Sequence, residues 1–322
     1  MFDSLRFRAK GGVRKPFDVL GMWYVTAIVS FLVLGTFVGA FLYKKFTSPD
    51  GSTFNYSVDF TGGIQTLIAF NKPVAGEKLV AILDGQGWPG SVTREFSATE
   101  HLVRVKKEAK DVSREAELIR EALSKSLGSD YKLTIKQTDS VGIATGSTLR
   151  TKSLYAVIVA LLLMLLYIAL RFWSFAYAMG AIVSLFHDAV VVLAFFLVFD
   201  KEISMNVIGA ILAVLGYSVN DTIVIFARIR DNVAKMPDRS FYDIINISIT
   251  ETLSRTILTT FATLLVVASL LIFGGETLRD LSLALFIGMI FGIYSTIFIA
   301  TPVLYMLYTR KSDRVVAPSI KK

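Results

Sequence analysis

The chain has 322 residues, of which 53% are hydrophobic and 19% charged, with a formal net charge of +8. That is too apolar for an ordinary soluble domain and too charged for a bare bundle of membrane helices, so a membrane part plus a soluble part is expected. With no cysteine and two histidines, His101 and His187, a disulfide framework, a thiolate metal site and a histidine-rich metal cluster are excluded. In a membrane protein the positive charge belongs to Lys and Arg of cytoplasmic loops rather than to a nucleic-acid surface, so no nucleic acid is expected as a partner.

Residues 1–18 are short and basic, with Arg6, Arg8, Lys10, Arg14 and Lys15. Residues 19–43 follow as an apolar run. The run is longer than the ~7–15 residues of a signal-peptide core, no A-x-A-like site follows, and it is long enough to cross a bilayer. Five further spans are predicted within 153–308: Ser153–Leu170, Ala176–Phe199, Ile203–Ile229, Leu253–Phe273 and Leu281–Tyr308. The last segment, 309–322, is a basic tail.

The positive-inside rule orients these six helices. With both termini in the cytoplasm, the inner segments hold the N-terminal cluster, Arg171, the group Arg230, Lys235 and Arg239, and the tail residues Arg310, Lys311 and Arg314. The short outer loops hold Lys201 and Arg279, each beside an acid. The segment 44–152 between helices one and two then lies outside, in the periplasm.

That segment has its own pattern. Gly62-Gly63 precedes a strand-like stretch, Ile64–Phe70, and Ala75–Leu83 reads as a helix. Ser91–Phe96 and Leu102–Lys106 read as strands. Ser113–Leu127 is an amphipathic helix with Ser113 placed to cap it and Gly128 to stop it. Its apolar positions are Ala116, Ile119, Leu123 and Leu127. Lys132–Gln137 alternates as a half-buried strand. The order β-α-β-β-α-β is that of a ferredoxin-like α+β domain. The fold class is thus a six-helix membrane protein with such a domain inserted between helices one and two. Gly62-Gly63 and the polar flank near Ser140–Thr148 are candidate hinges.

The membrane half contains Asp221 inside the fourth apolar run, flanked by Ser218 and Asn220. An ionised carboxylate at that depth costs roughly 2.5–3.5 kcal/mol on insertion scales, which marks ion or proton movement or a buried partner. Helical spacing puts Gly209, Ala213, Gly216 and Asn220 on one face of span four. Gly288, Gly292 and Ser295 share a face of span six, and Thr252, Thr256, Thr259 and Thr263 form a stripe on span five. Ordinary helix packing accounts for these small-residue and hydroxyl stripes. Arg255 lies beside the stripe, and an i,i+4 pair with Glu251 would account for it without any function. His187 and Asp188 form a polar pair on span three that would hold it to a neighbour.

No Walker loop, zinc helix or nucleophile elbow occurs, so the chain is not expected to be an enzyme, and no cofactor or metal is expected. The remaining energy source is an ion gradient, which gives about 3.5 kcal/mol per charge at ~150 mV. A carboxylate that alternates between neutral and charged, as burial and an approaching Arg compete, couples that energy to motion. Oxygens of Asp221, Asn220 and Ser218 leave sodium open beside the proton.

Several stretches resemble signatures of the SecD/SecF family. They are Val58-Asp59-Phe60-Thr61-Gly62-Gly63, His187-Asp188, and Gly216-Tyr217-Ser218-Val219-Asn220-Asp221-Thr222-Ile223-Val224. Arg228–Asn232, Thr252-Leu253-Ser254-Arg255-Thr256 and Phe273-Gly274-Gly275 continue the resemblance. The Gly-Tyr-Ser-x-Asn-Asp form is similar to the SecF side of that family. One departure is Ser254, where histidine can precede the arginine in relatives.

The resemblance implies an assembly of the resistance-nodulation-division (RND) type in the bacterial inner membrane. In it, this chain would pair with SecD and assist the SecYEG channel, with YajC and YidC as further candidate partners. It would use the proton-motive force to pull a translocating unfolded polypeptide outward. The family's relay aspartate and arginine on this subunit fall on Asp221 and Arg255. The alternatives are an RND-related proton-driven exporter of lipids or small molecules, and a passive scaffold in which Asp221 only pairs helices.

Overall fold

The structure is a computed structural model that describes residues 16–47, 53–107 and 111–312. The N-terminal basic cluster and the end of the basic tail lie outside the described residues. Among the described residues, six helices are long and apolar enough to cross a membrane, the number expected. They are α1 (Trp23–Thr47), α5 (Ile143–Phe172), α6 (Phe175–Val198), α7 (Met205–Lys235), α8 (Phe241–Phe273) and α9 (Gly275–Ser295). α9 passes through one π-turn (Thr296–Ala300) into α10 (Thr301–Ser312).

Two helices begin earlier than their apolar cores suggest. α5 starts at Ile143 rather than Ser153, because polar residues such as Thr148 and Arg150 continue the helix outward from the apolar run. α8 starts at Phe241 rather than Leu253, where Ser240 accepts the Asp243 amide as a cap. A hydropathy reading sees only the lipid-matched part of such helices.

α6 is the central helix. Its face from Ala178 through Leu185 to Val192 is buried against α1, α5, α7 and α9. By contrast α5 and α8 keep broad apolar faces exposed, including Leu162, Leu163, Leu258 and Phe261. Exposed apolar surface of this extent suits lipid or another helix.

Between α1 and α5 lies the α+β domain. Its strands are β2 (Gly63–Phe70), β3 (Val92–Ser97), β4 (Glu100–Val105) and β5 (Leu133–Val141). They are antiparallel in the order β3-β4-β2-β5. Two helices, α3 (Gly76–Gly85) and α4 (Val112–Leu127), cover one face, which is the ferredoxin-like arrangement. Ile64, Ile68, Leu79, Leu83, Val103, Ile119 and Leu123 fill the core. The helix cap differs from expectation: Asp111, not Ser113, accepts the Arg114 amide at 3.0 Å. Asp111 holds extended backbone and an acid suits a helix N-terminus, so the helix gains one turn position over the reading from Ser113.

The domain joins the membrane half through a short parallel ladder, β1 (Asn55–Tyr56) with β6 (Glu202–Ile203), and a single-turn helix α2 (Val58–Thr61). The open face of the sheet stands over a cleft of about 280 Å³ lined by Leu67, Phe96, Leu102 and Met205. Arg94 crosses that cleft.

Candidate functional site

α7 is the organising element. Its Ser204 cap accepts the Val207 amide, and its apolar positions Val207, Ile211, Val214, Leu215, Ile225 and Phe226 bury it against α6, α8 and α9. On that buried side sits Asp221, 7% exposed. Its carboxylate accepts the Thr260 hydroxyl of α8 at 3.4 Å. Tyr217 Oη donates to Thr260 Oγ1 at 3.3 Å and reaches Thr263 Oγ1 at the same distance. A line of hydroxyls on α8 therefore faces the acid. Thr260 lies outside the stripe that sequence spacing singles out, and the i+4 step from Thr256 is the signal that would have found it.

Arg255 sits on an exposed face of α8. It forms no salt bridge with Asp221, nor the i,i+4 pair with Glu251 that would account for it without function. Glu251 instead accepts Asn232 Nδ2 at 2.8 Å and meets Arg228 Nε at 3.4 Å. The neighbouring helix supplies the nearer cations and amides, which leaves Arg255 unabsorbed by its own helix.

The two residues flanking Asp221 part company. Asn220 points outward with Gly209, Ala213 and Gly216 on an exposed face of α7. Ser218 turns to α6, where its hydroxyl donates to Asp188 Oδ2 at 2.7 Å. Asp188 is fully buried, and His187 beside it is 4% exposed. Thr222 Oγ1 lies 3.0 Å from Thr296 Oγ1, at the π-turn. A π-turn widens a helix locally and often marks a working region.

The glycine face of α7 does not pack against that of α9. Gly288 and Gly292 of α9 do lie against α7. A Cβ on Gly288 would fall 2.5 Å from Val214 Cγ2, and one on Gly292 3.5 Å from Ser218 Cβ. A Cβ on Gly216 would meet nothing within 4 Å. Close approach between α7 and α9 therefore uses the glycines of α9 and not those of α7.

The outer signature is tied to the same helix. Ser57 caps α2, and Asp59 Oδ2 accepts the Met205 amide at 2.9 Å, at the first turn of α7. Gly62 and Gly63 have φ of 73° and 113°. Side chains there would strike Ile143 Cα and Val105 O at 2.5 Å. The glycines permit close backbone approach as well as the unusual turn.

Next to this junction lies an ionic clasp. Arg94 holds Asp280 through both guanidinium nitrogens at 2.9 and 3.2 Å, and reaches Glu202 at 3.5 Å. Arg104 Nη2 contacts Glu202 Oε1 at 2.5 Å and donates from Nη1 to the Tyr56 carbonyl at 2.9 Å. Burial pushes the Glu202 carboxyl up, against the pull of Arg104 and then Arg94. No sequence pattern pointed to this clasp, since its partners are far apart in the chain.

At the opposite end, Asp18 accepts from Tyr242 Oη at 2.5 Å, from the Gly21 amide at 2.9 Å and from Asn246 Nδ2 at 3.0 Å. Asn246 Oδ1 in turn accepts the Val19 amide at 3.0 Å, fixing the start of α1 to α8.

Residues 120–310 match the family model of the protein export membrane protein SecD/SecF, C-terminal. The protein translocase subunit SecF of Thermodesulfovibrio yellowstonii is 35% identical over 295 residues, covering 90% of this chain and 94% of the relative. That of Borreliella burgdorferi is 42% identical over 214 residues, covering 66% and 71%. The crystal structure of SecDF, a translocon-associated membrane protein from Thermus thermophilus, superposes with a TM-score of 0.80 at 34% identity, covering 92% of this chain. A super-membrane-facing form of SecDF gives 0.66 at the same identity, covering 94%. This chain spans 39% and 40% of those two chains. It belongs to the SecD/SecF family of protein-export membrane proteins, among its SecF members.

Proposed function

We propose that this chain is one half of a proton-driven export machine. Together with a SecD-type half it uses the proton-motive force to drive late steps of protein export across the bacterial inner membrane. The observation that carries the reading is the placement of Asp221. It is a buried carboxylate on α7, facing hydroxyls of α8, on the same helix whose first turn is held by the outer domain through Asp59.

Arg255 and the small face of α7 support a missing half. Arg255 is exposed on α8, and Gly209, Gly216 and Asn220 are exposed on α7. A charge there is costly in lipid, so a second bundle that covers this side would relieve it. When that bundle brings Arg255 toward Asp221, the charged carboxylate is favoured; when Arg255 withdraws, burial favours the acid. Protonation and helix packing are thereby coupled. The clasp and Asp59 would carry the resulting shift of α7 to the outer domain, with Gly62-Gly63 as the joint.

Both termini are proposed to lie in the cytoplasm and the ferredoxin-like domain in the periplasm. The channel SecYEG and the unfolded polypeptide are the proposed partners there. Since the chain has no cysteine, a single Cys at Glu100 reports this directly. It should react with an impermeant reagent in intact spheroplasts, and protection would reverse the orientation.

The central test is Asp221→Asn, which keeps size and hydrogen bonding but loses the titrating proton. Export into membrane vesicles should lose its dependence on the proton-motive force while assembly with the partner half persists. Full gradient-dependent export by an assembled Asp221→Asn protein would refute the relay. Arg255→Lys keeps charge without the planar guanidinium, and a strong partial loss is expected.

A further inference from the structure

A second polar cluster sits inside the membrane half, and the relay at Asp221 does not use it. It is built where α6, α7 and α9 meet. Asp188 on α6 is 0% exposed, with one carboxylate oxygen bound by Ser218 of α7 at 2.7 Å. Its other oxygen, both ring nitrogens of His187 and the hydroxyl of Ser184 are buried without a hydrogen-bond partner. Ser184 and Asp188 stand one turn apart on the same face of α6, and His187 Nδ1 lies 3.9 Å from Asp188 Oδ1.

Several features show that the fold makes room for these groups. Gly292 brings α9 so close that a Cβ there would lie 3.9 Å from Asp188 Oδ2. Ser295, one turn later and fully buried, spends its hydroxyl on the Gly292 carbonyl at 3.1 Å. Tyr294 sits with its ring 6.1 Å from that of His187, but its hydroxyl donates to the Thr26 carbonyl of α1. Among the described residues, no Lys or Arg forms a salt bridge with Asp188; its ionisable neighbour is His187.

Buried polar groups are normally satisfied, and a buried carboxylate normally has a cation. Helix packing alone is served by the Ser218 bond and explains neither the histidine nor the free oxygen. A proton carried by His187 or by Asp188 does explain both. It removes the uncompensated charge and gives the facing nitrogen and oxygen a use.

We propose that His187 and Asp188 form a second proton-binding site of this chain, bonded through Ser218 to the helix that carries Asp221. The groups facing it are Ser184 on α6, Tyr294 and Ser295 on α9, and Ser218 on α7, with Asp221 one turn along α7 and directed to Thr260 of α8. Loading the site changes the charge on the carboxyl that Ser218 bonds to, and so changes how strongly α6 grips α7. This inference rests on the gradient-driven reading above.

The test uses the wild-type chain with its partner half in membrane vesicles. Dicyclohexylcarbodiimide attaches to protonated carboxyls in apolar surroundings, and peptide mass spectrometry then identifies the residue modified. An adduct on Asp188, with a yield that changes with pH separately from that on Asp221, is expected. An adduct on Asp221 alone overturns the second site and leaves the relay standing; an adduct on neither overturns both. In parallel, Asp188→Asn keeps the acceptor for Ser218 and should assemble yet lose gradient-driven export. His187→Gln should move the pH profile of that export, which a packing role would leave in place. An unmoved profile, or full export by Asp188→Asn, overturns the proposal.

Discussion

The Asp59 carboxylate and the Met205 amide are 2.9 Å apart, and their hydrogen bond crosses the border between the ferredoxin-like domain and the membrane half. Asp59 belongs to the one-turn helix at the root of the domain, and Met205 opens α7. Asp221 lies about 24 Å further along the same helix, at 1.5 Å of rise per residue. An acid at the first turn of a helix satisfies an orphan amide and meets the positive end of the helix dipole. Replacing Asp59 by Ala should therefore cost about 1–2 kcal/mol. Asp59→Asn should cost less because it keeps an acceptor. Thermal unfolding of the purified protein measures the first effect. Vesicle export measures the second, and Asp59→Ala should be slower than Asp59→Asn in both the presence and absence of added stress on assembly.

Much of this architecture was legible in the sequence because it is periodic or punctuated. Ala116, Ile119, Leu123 and Leu127 announced α4, and Gly128, at φ 92°, ended it. Asp221 stood out as a charge in an apolar run. What stayed hidden is pairing between distant elements. The Ser218–Asp188 bond, the Thr260–Asp221 bond and the Arg94–Asp280 clasp join residues that no local pattern relates. Helical spacing gathered Gly209, Gly216 and Asn220 onto one face, but it does not state what lies opposite that face. The structure leaves it exposed and gives the close helix contact to Gly288 and Gly292 instead.

The ionic clasp predicts an asymmetry between breaking and replacing it. Glu202 is 5% exposed and depends on Arg104 and Arg94. Arg104→Met removes its shorter partner and strands a buried charge, a loss of about 3–5 kcal/mol where no other group compensates. Arg94 remains within reach, so the lower end of that range is expected. The double change Arg104→Met with Glu202→Leu removes both charges and should recover most of the loss. Thermal unfolding and limited proteolysis of the outer domain measure both variants. Equal destabilisation by the single and double changes would show that packing, not charge, holds the joint.

Glu115 gives the outer domain an acid limit. Its carboxylate accepts from Lys107 Nζ at 2.5 Å and from Trp88 Nε1 at 2.8 Å. These contacts, Lys107 foremost, hold it below the usual glutamate range despite burial. A depressed carboxylate stabilises the fold above its unfolded value, near about 4.3, and that contribution is lost as pH falls through the folded value. The domain should therefore loosen on acidification below about pH 4, and Glu115→Gln should flatten this dependence. Trp88 is a direct reporter. With Trp23 and Trp173 replaced by Phe, its fluorescence should shift in the acid range in the native background and much less in Glu115→Gln.

Two glycine-to-alanine changes separate packing inside this chain from packing against another. At Gly288 the new methyl would fall 2.5 Å from Val214 Cγ2, so α7 and α9 must part or Val214 must turn. Overpacking of this kind costs about 1–3 kcal/mol, and trimming Val214 to Ala should return most of it. At Gly216 the new methyl meets nothing within 4 Å. There the change alone favours helix by up to about 1 kcal/mol, so the isolated chain should be as stable or more so. If a second bundle packs on the exposed face formed by Gly209, Ala213, Gly216 and Asn220, that bundle will meet the methyl instead. Gly216→Ala should then weaken co-purification with the partner half while leaving thermal unfolding of the isolated chain unharmed. Gly288→Ala should do the reverse, lowering the stability of the chain by itself. Normal co-purification and export by Gly216→Ala would mean that this face looks onto lipid, and the partner would have to cover Arg255 from another side of α8.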